Sequence, residues 1–203
     1  RRATGAAEPP KTAAAAKPVF GPVREGVLPY GLPCEQQYFQ CASGKVFGVD
    51  PNKGMLGEAR RVFHGPLTRG VAEALPFKTG QFDFVTMGIA LRHVPDLVAA
   101  FSEYLRVLKP GGKVWILEGH LPESKVGHAL TRFAWKTVIP GLTLLFTRDR
   151  DAKVLMDYYW DTVEKCVPPE TILASMRIAG FADPKFKVVV PGAFCEYTGT
   201  KPR

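Results

Sequence analysis

The sequence predicts an α/β protein whose sheet is mostly parallel and closes with an antiparallel hairpin. Three observations carry that prediction. Phe82–Met87 is an apolar run of strand length, Leu97, Val98, Phe101, Leu105 and Leu108 mark one face of a helix, and Val114–Leu117 is a second apolar run after Pro110-Gly111-Gly112. Strands alternate with helices from Lys45 onward, the pattern of a parallel sheet covered on both faces. Two strand-like segments, Lys185–Val190 and Phe194–Thr200, flank Gly192 at the end.

The elements follow in order. Residues 1–33 are rich in Ala, Pro and Gly, with Pro9, Pro10, Pro18, Pro22, Pro29 and Pro33 among them, and read as disordered or irregular. A short helix can begin at Glu35. Lys45–Val49 reads as a buried strand ending at Asp50, where Asp50-Pro51 makes an N-cap followed by proline at the first helical position. The next helix carries Met55, Leu56, Ala59, Val62 and Phe63 on one side, and Pro66–Ala72 reads as a short strand and turn. The strand, helix and strand of Phe82–Glu118 come next, with Pro110 ending the helix and the two glycines supplying the turn. Residues 119–165 read as a lid or substrate-facing insertion: a mixed segment to Thr147, then a helix over Asp151–Lys165. The helix Pro169–Ala179 opens on proline and closes before Gly180. Residues 34–203 thus form one predicted domain. In such sheets ligands bind outside the carboxyl ends of the parallel strands, which points to the loop between Met87 and Pro95.

The chain has 203 residues, 46% hydrophobic and 23% charged, enough for one domain with a core. Its net charge of +8 admits an acidic partner, but the positive residues are dispersed and no aromatic–basic interleaving of a nucleic-acid reader is present. Cys34, Cys41, Cys166 and Cys195 form no CxxC pair and have no histidine at metal-ligand spacing, so they read as reduced and structural, with no metal site. No stretch reaches the roughly 20 apolar residues of a spanning helix. Phe133–Phe146, the nearest, is interrupted by Lys136 and by Pro140-Gly141. The opening has no signal-peptide core, and its Arg- and Ala-rich composition is similar to an organellar transit segment. Placement in the cytoplasm or an organelle matrix, mitochondrial or plastid, is the expectation, with peripheral attachment to a membrane left open.

Gly48-Val49-Asp50 with Gly54-Met55-Leu56, Ala72-Glu73-Ala74-Leu75-Pro76-Phe77, Phe82-Asp83, Leu91-Arg92-His93-Val94 and Leu108-Lys109-Pro110-Gly111-Gly112 occur in that order. Together they resemble the class I S-adenosylmethionine-dependent methyltransferases, and within them the ubiquinone/menaquinone biosynthesis C-methyltransferases of the UbiE type. The resemblance runs from about Gly44 to the C-terminus, through Ala179-Gly180-Phe181 and Glu196-Tyr197-Thr198-Gly199. It implies a Rossmann-like sandwich, S-adenosyl-L-methionine as cofactor and methylation of a lipophilic quinol or related small molecule. A homodimer or a biosynthetic complex is compatible with it.

The resemblance also assigns residues. Asp50, Pro51, Met55, Ala72, Glu73, Met87 and Gly88 fall where the family lines its cofactor, Asp50 meeting the ribose hydroxyls. Arg92 and His93 follow the strand end where the methyl group would react. Arg92 could hold the phenolic oxygen of the acceptor, directly or through a water, and His93 could take its proton. The family places a strand and a glycine-rich loop before the Asp50 strand, whereas this chain has Val27-Leu28-Pro29-Tyr30-Gly31-Leu32-Pro33, so the loop is missing or degenerate and the first strand is in question. Val71 stands where relatives usually carry Asp or Asn, and His93 where they usually carry Asn.

These departures keep a second reading open: a catalytically silent, truncated methyltransferase-like protein serving as partner or scaffold. Each residue also has a plainer role. Asp50 can be only a cap, Ala72 and Glu73 only a turn, and Arg92-His93 only solvated surface. Phe133, Trp135, Val138, Ile139, Leu142, Leu144, Leu145 and Phe146, with Lys136, Arg148 and Arg150, read either as a cover facing a membrane or as core or dimer contact. Tyr158, Tyr159 and Trp160 read as core with one or two rings toward the substrate, and His64, His120 and His128 as structural or solvated.

Overall fold

The computed structural model describes residues 46–147 and 151–203. The expectations of an irregular N-terminal segment, a helix from Glu35 and a missing or degenerate glycine loop, and those for Cys34, Cys41, Arg148 and Arg150, lie outside the described residues. From Phe47 onward the chain forms one unit.

Strand β1 (Gly48–Asp50) pairs in parallel with β2 (Leu67–Arg69), placing Asp50 opposite Arg69. Helix α1 (Lys53–Ala59) connects them. Its cap is Asn52 rather than Asp50: the Asn52 side chain accepts from the backbone N–H groups of Gly54 and Met55, at 2.7 and 3.3 Å. Asp50 Oδ1 instead accepts from Asn52 N at 2.7 Å, a turn that an aspartate makes with the backbone two residues on. The Asp50-Pro51 cap predicted from sequence is therefore displaced by two residues.

The next unit is β3 (Phe82–Gly88), a short 3₁₀ turn over Leu91–His93, helix α2 (Leu97–Val107) and β4 (Leu108–Gly119). Asp96 caps α2, its side chain accepting from Ala99 N at 2.9 Å. The buried face of α2 is Ala100, Phe101, Tyr104 and Val107, continued by Leu108 at the start of β4. This face is rotated from the predicted one, because Tyr104 and Val107 fill the core while Leu97 and Leu105 pack only at its edge. Pro110-Gly111-Gly112 does not separate helix from strand as predicted. Phe82 pairs with Leu108 and Phe84 with Lys113, so the proline and glycines bulge out of a strand that began before them. Gly111 has φ of 78°, a conformation costly for a residue with a Cβ.

Beyond Gly119 come α3 (Lys125–Phe133), a π-helical stretch (Ala134–Val138), α4 (Ile139–Thr147), α5 (Asp151–Val163) and α6 (Pro169–Ala179). Pro140-Gly141 does not break the apolar run. The π stretch, where Ile139 N–H reaches Ala134 O, shifts the register just before a proline that has no N–H to donate. α6 is bounded as the sequence predicts, with proline in its first turn and Gly180 at φ of 104° closing it. β5 (Ala182–Val190) and β6 (Phe194–Thr200) form the predicted antiparallel hairpin.

The larger sheet has the order β3-β4-β6-β5, with β3 parallel to β4 and the other two pairings antiparallel. The β1-β2 sheet is parallel, but the larger sheet is mixed, which corrects the mostly parallel expectation there: β6 inserts between β4 and β5. α2 and α6 pack against the sheet, and Phe101, Tyr104, Ile116, Ile172, Met176, Phe181 and Tyr197 form the core. Lys201 locks the end of α2 by donating through Nζ to the carbonyls of Leu105 and Leu108, at 2.7 and 2.8 Å. Phe47, Phe77 and Phe82 stand edge to face, with centroids 4.9 to 5.7 Å apart, and join the start of β1 to that of β3.

Candidate functional site

The sequence-predicted residues fall into three groups at strand ends. The first is at β1. Asp50 is half-buried at the carboxyl end, and with one oxygen engaged by Asn52 N its Oδ2 has no hydrogen-bond partner among the described residues. Arg69, paired across the strand, donates from Nε to Pro51 O at 3.0 Å and fixes the turn after Asp50. Pro51 and Met55 are exposed, and the Met55 N–H donates to the Asn52 side chain beside Asp50.

The second group is the turn of Ala72 and Glu73, closed by a bridge between Val71 and Ala74. Helix α2 clamps it. Glu103 accepts from Leu75 N at 2.8 Å, and Arg106 donates to the carbonyls of Phe77 and Leu75 at 2.8 and 3.0 Å while paired with Glu103 at 2.7 Å. Arg106 holds the Glu103 carboxyl below the ordinary carboxylate range, helped by the Leu75 N–H against a desolvation that pulls the other way. Ala72, Leu75 and Met87 pack against the core. Tyr104 lies beneath them: its hydroxyl donates to Met87 Sδ at 3.6 Å, and burial, then the charge of Glu73, raises its pKa far above the ordinary phenol value. Tyr104 therefore joins α2 to Met87 at the end of β3. Gly70 lets β1 and this turn approach, since a Cβ there would lie 2.9 Å from Pro76 and 3.1 Å from Val49.

The third group lies at the carboxyl end of β3. Gly88 is exposed, and a Cβ on it would meet nothing within 4 Å. Ile89 follows at φ of 53°, an outlier for a β-branched residue, held by its N–H donating to Leu117 O at 2.7 Å. Arg92 is not solvated surface: its side chain is 7% exposed and pairs with Glu118, 1% exposed, at 2.7 Å. Arg92 Nη1 also donates to Ile89 O at 2.8 Å, and Nε to Thr162 Oγ1 at 3.0 Å. The two N–H groups of Nη2 have no protein partner among the described residues. The guanidinium stands 5.3 Å from the centroid of the Tyr159 ring, which stacks on Trp135 at 4.8 Å. His93 is exposed; partial desolvation, then the Arg92 charge, lower its pKa below 6.5 against the opposing pull of Glu118.

Glu118, Thr162, Glu103 and Arg106 are the residues that the sequence reading did not weigh. Glu118 had a visible signal: an acid ending the apolar run Val114-Trp115-Ile116-Leu117 must find partners if that run is buried. The structure supplies Arg92 Nη1, Arg92 N and Gly119 N. Trp160 is core as read, Tyr158 is exposed, and Tyr159 is part of the Arg92 network.

The architecture is that of the S-adenosylmethionine-dependent methyltransferases. A solved enzyme of that kind from Thermotoga maritima superposes with TM-score 0.52 at 24% identity, covering 76% of this chain and 72% of its own. One from Aquifex aeolicus gives 0.53 at 12% identity, covering 79% and 71%. Residues 36–201 match the ubiE/COQ5 methyltransferase family, and the chain belongs to that family. It is 36% identical over 169 residues to the demethylmenaquinone methyltransferase of Symbiobacterium thermophilum, covering 79% of this chain and 67% of that protein. It is 33% identical over 167 residues to the demethylmenaquinone methyltransferase of Lactococcus lactis, covering 78% of this chain and 64% of that relative's length. The ubiquinone/menaquinone biosynthesis C-methyltransferase UbiE of Xanthomonas oryzae is 35% identical over 165 residues, again with 78% and 64% covered.

Proposed function

We propose that the protein transfers a methyl group from S-adenosylmethionine to a ring carbon of a lipophilic quinol of the demethylmenaquinone kind. The observation that carries this reading is Arg92, buried and fixed by Glu118 at the carboxyl end of β3 with its Nη2 donors uncommitted. The family membership and its demethylmenaquinone relatives support the quinol as acceptor.

The residues present fit the cofactor. Asp50 keeps a carboxylate oxygen available for ribose hydroxyls, Ala72 and Glu73 sit in a clamped turn suited to the base, and Met87 and the open surface at Gly88 border the reacting end. When bound, the cofactor supplies an electrophilic sulfonium methyl. On the acceptor side, loss of the phenolic proton makes the ring carbon nucleophilic. With the cofactor held by Asp50, Ala72 and Glu73, its sulfonium methyl would be the group that this carbon takes up, and the ring would then give up its displaced proton to regain aromaticity. Arg92 Nη2 donates to the developing phenolate, and His93, kept neutral at physiological pH, accepts the phenolic proton.

The acceptor's lipid character finds a counterpart in the lid. Val126 and Leu145 are 72% exposed and Phe146 79%, alongside Leu130, Phe133, Leu142, Leu144, Val154 and Leu155. The core alternative for this segment does not hold for these side chains. Lys125 and Arg132 border the surface on α3, and among the described residues no helix is long and apolar enough to cross a membrane. A peripheral face that dips into an anionic bilayer and admits the quinol from it accounts for this combination.

The test is transfer of an isotopically labelled methyl group to a reduced 1,4-naphthoquinone, with the product mass identifying carbon methylation. Turnover that falls by about two orders of magnitude in Arg92→Ala supports the reading. A protein that binds neither cofactor nor acceptor supports the silent partner or scaffold instead.

A further inference from the structure

We propose that Glu118 and Thr162 are positioning residues acting through Arg92, which joins the reaction loop to the lid. The two arms come from different elements. Glu118, at the end of β4, accepts from Arg92 Nη1 at 2.7 Å, from Arg92 N at 3.2 Å and from Gly119 N at 2.8 Å, so it fixes both the side chain and the backbone of Arg92. Thr162, on α5, accepts from Arg92 Nε at 3.0 Å while its own hydroxyl donates to Tyr159 O at 2.8 Å, one turn back on the same helix. The Tyr159 ring lies against the guanidinium on one side and stacks on Trp135 of the π stretch, whose Nε1–H donates to Gly192 O in the β5–β6 hairpin at 3.3 Å. A single guanidinium thus ties the strained Ile89 carbonyl, the carboxyl end of β4, the lid helix and the π stretch together.

The chemistry of the contacts makes the two arms unequal. Glu118 is a buried charge, and without Arg92 it would stand unpaired, so that arm holds throughout the life of the fold. Thr162 offers a neutral hydroxyl to one N–H, the weaker bond of the pair. Lid separation therefore breaks at Thr162 and the Tyr159 face, leaving Arg92 on Glu118. When the lid is docked, these contacts restrict the guanidinium and leave Nη2 as its uncommitted edge.

The inference rests on the proposed methyl transfer only in its kinetic arm. Amide hydrogen exchange of the free protein tests the coupling directly. In the unaltered protein, residues 88–94 and 153–163 are expected to open together, with one opening rate. Thr162→Val is expected to speed exchange in both segments by about ten-fold, and Thr162→Ser to restore the original rates. Independent opening of the two segments, or faster exchange in 153–163 alone, would overturn the proposal. In the kinetic arm, Thr162→Val lowers kcat/KM for a reduced naphthoquinone by about ten-fold while S-adenosylhomocysteine affinity stays within about two-fold. An unchanged kcat/KM in an active enzyme would also overturn it. Absence of turnover in the unaltered protein would count against the quinol reading, and the exchange result would still decide the coupling.

Discussion

Arg92 shows most clearly how one side chain can be placed by sequence while its partners stay hidden. Its position after β3 was legible from the Leu91-Arg92-His93-Val94 motif, but the ion pair with Glu118 was not, because their partnership depends on the parallel pairing of β3 and β4. Removing the carboxylate leaves a buried guanidinium without its counter-charge. Glu118→Ala is accordingly expected to lower stability by about 3–5 kcal/mol in urea unfolding, and the double replacement of Glu118 and Arg92 by Leu to cost less than that single change. His93 carries a pH signature. Desolvation and Arg92 favour its neutral form, so the acid limb of the rate should fall below pH 6.5 and vanish in His93→Ala. The same shift has a stability sign. The unfolded chain holds the His93 proton more tightly, so the fold weakens as pH drops below 6.5 toward the lowered pKa and gains from neutrality above it. An acid limb that persists in His93→Ala would remove His93 from the proton transfer.

At the scale of elements, the clamp on residues 71–77 fixes a turn with no regular helix or strand, which is what the proposed cofactor contact at Ala72 and Glu73 requires. Two of its carbonyls are satisfied by Arg106 and one N–H by Glu103, both on α2, a helix that is itself anchored in the core by Phe101 and Tyr104. Glu103→Ala should weaken S-adenosylhomocysteine binding by roughly ten-fold with little change at Asp50, measurable by calorimetry. Because the Glu103 carboxyl is depressed, its stabilisation is present above the ordinary value near 4.5 and is lost as pH falls through the lower folded value. Periodicity found α2, α6, the C-terminal hairpin and the strand before Gly88. It did not find the helix through Pro140-Gly141, since nothing in the apolar spacing announces a π stretch that makes room for a proline. Nor did it find the Asn52 cap, because Asp50 and Asn52 are equally good capping residues and only the strand's end chooses between them.

Across the whole molecule, the direction of strand pairing was the least legible property. β6 alternates buried Cys195, Tyr197 and Gly199 with less buried neighbours, which fits either direction of pairing, and its insertion between β4 and β5 turns the sheet mixed. The exposed apolar face of α3 to α5 is likewise a property of the assembled surface, since the same residues in sequence suited a core equally well. If that surface meets a bilayer, the protein should sediment with vesicles containing anionic lipid, and replacing Leu145 and Phe146 by Glu should release it without altering cofactor affinity. Equal sedimentation of the two forms would remove the membrane from the account.

The central claim is that the carboxyl ends of β1 and β3, with the clamped turn between them, form a working S-adenosylmethionine site. Calorimetric titration of S-adenosylhomocysteine into the protein and into Asp50→Ala tests it most directly. The expected result is saturable one-to-one binding that weakens by at least about a hundred-fold when the Asp50 carboxylate is removed. Absence of binding at millimolar ligand, or equal affinity in Asp50→Ala, would contradict it.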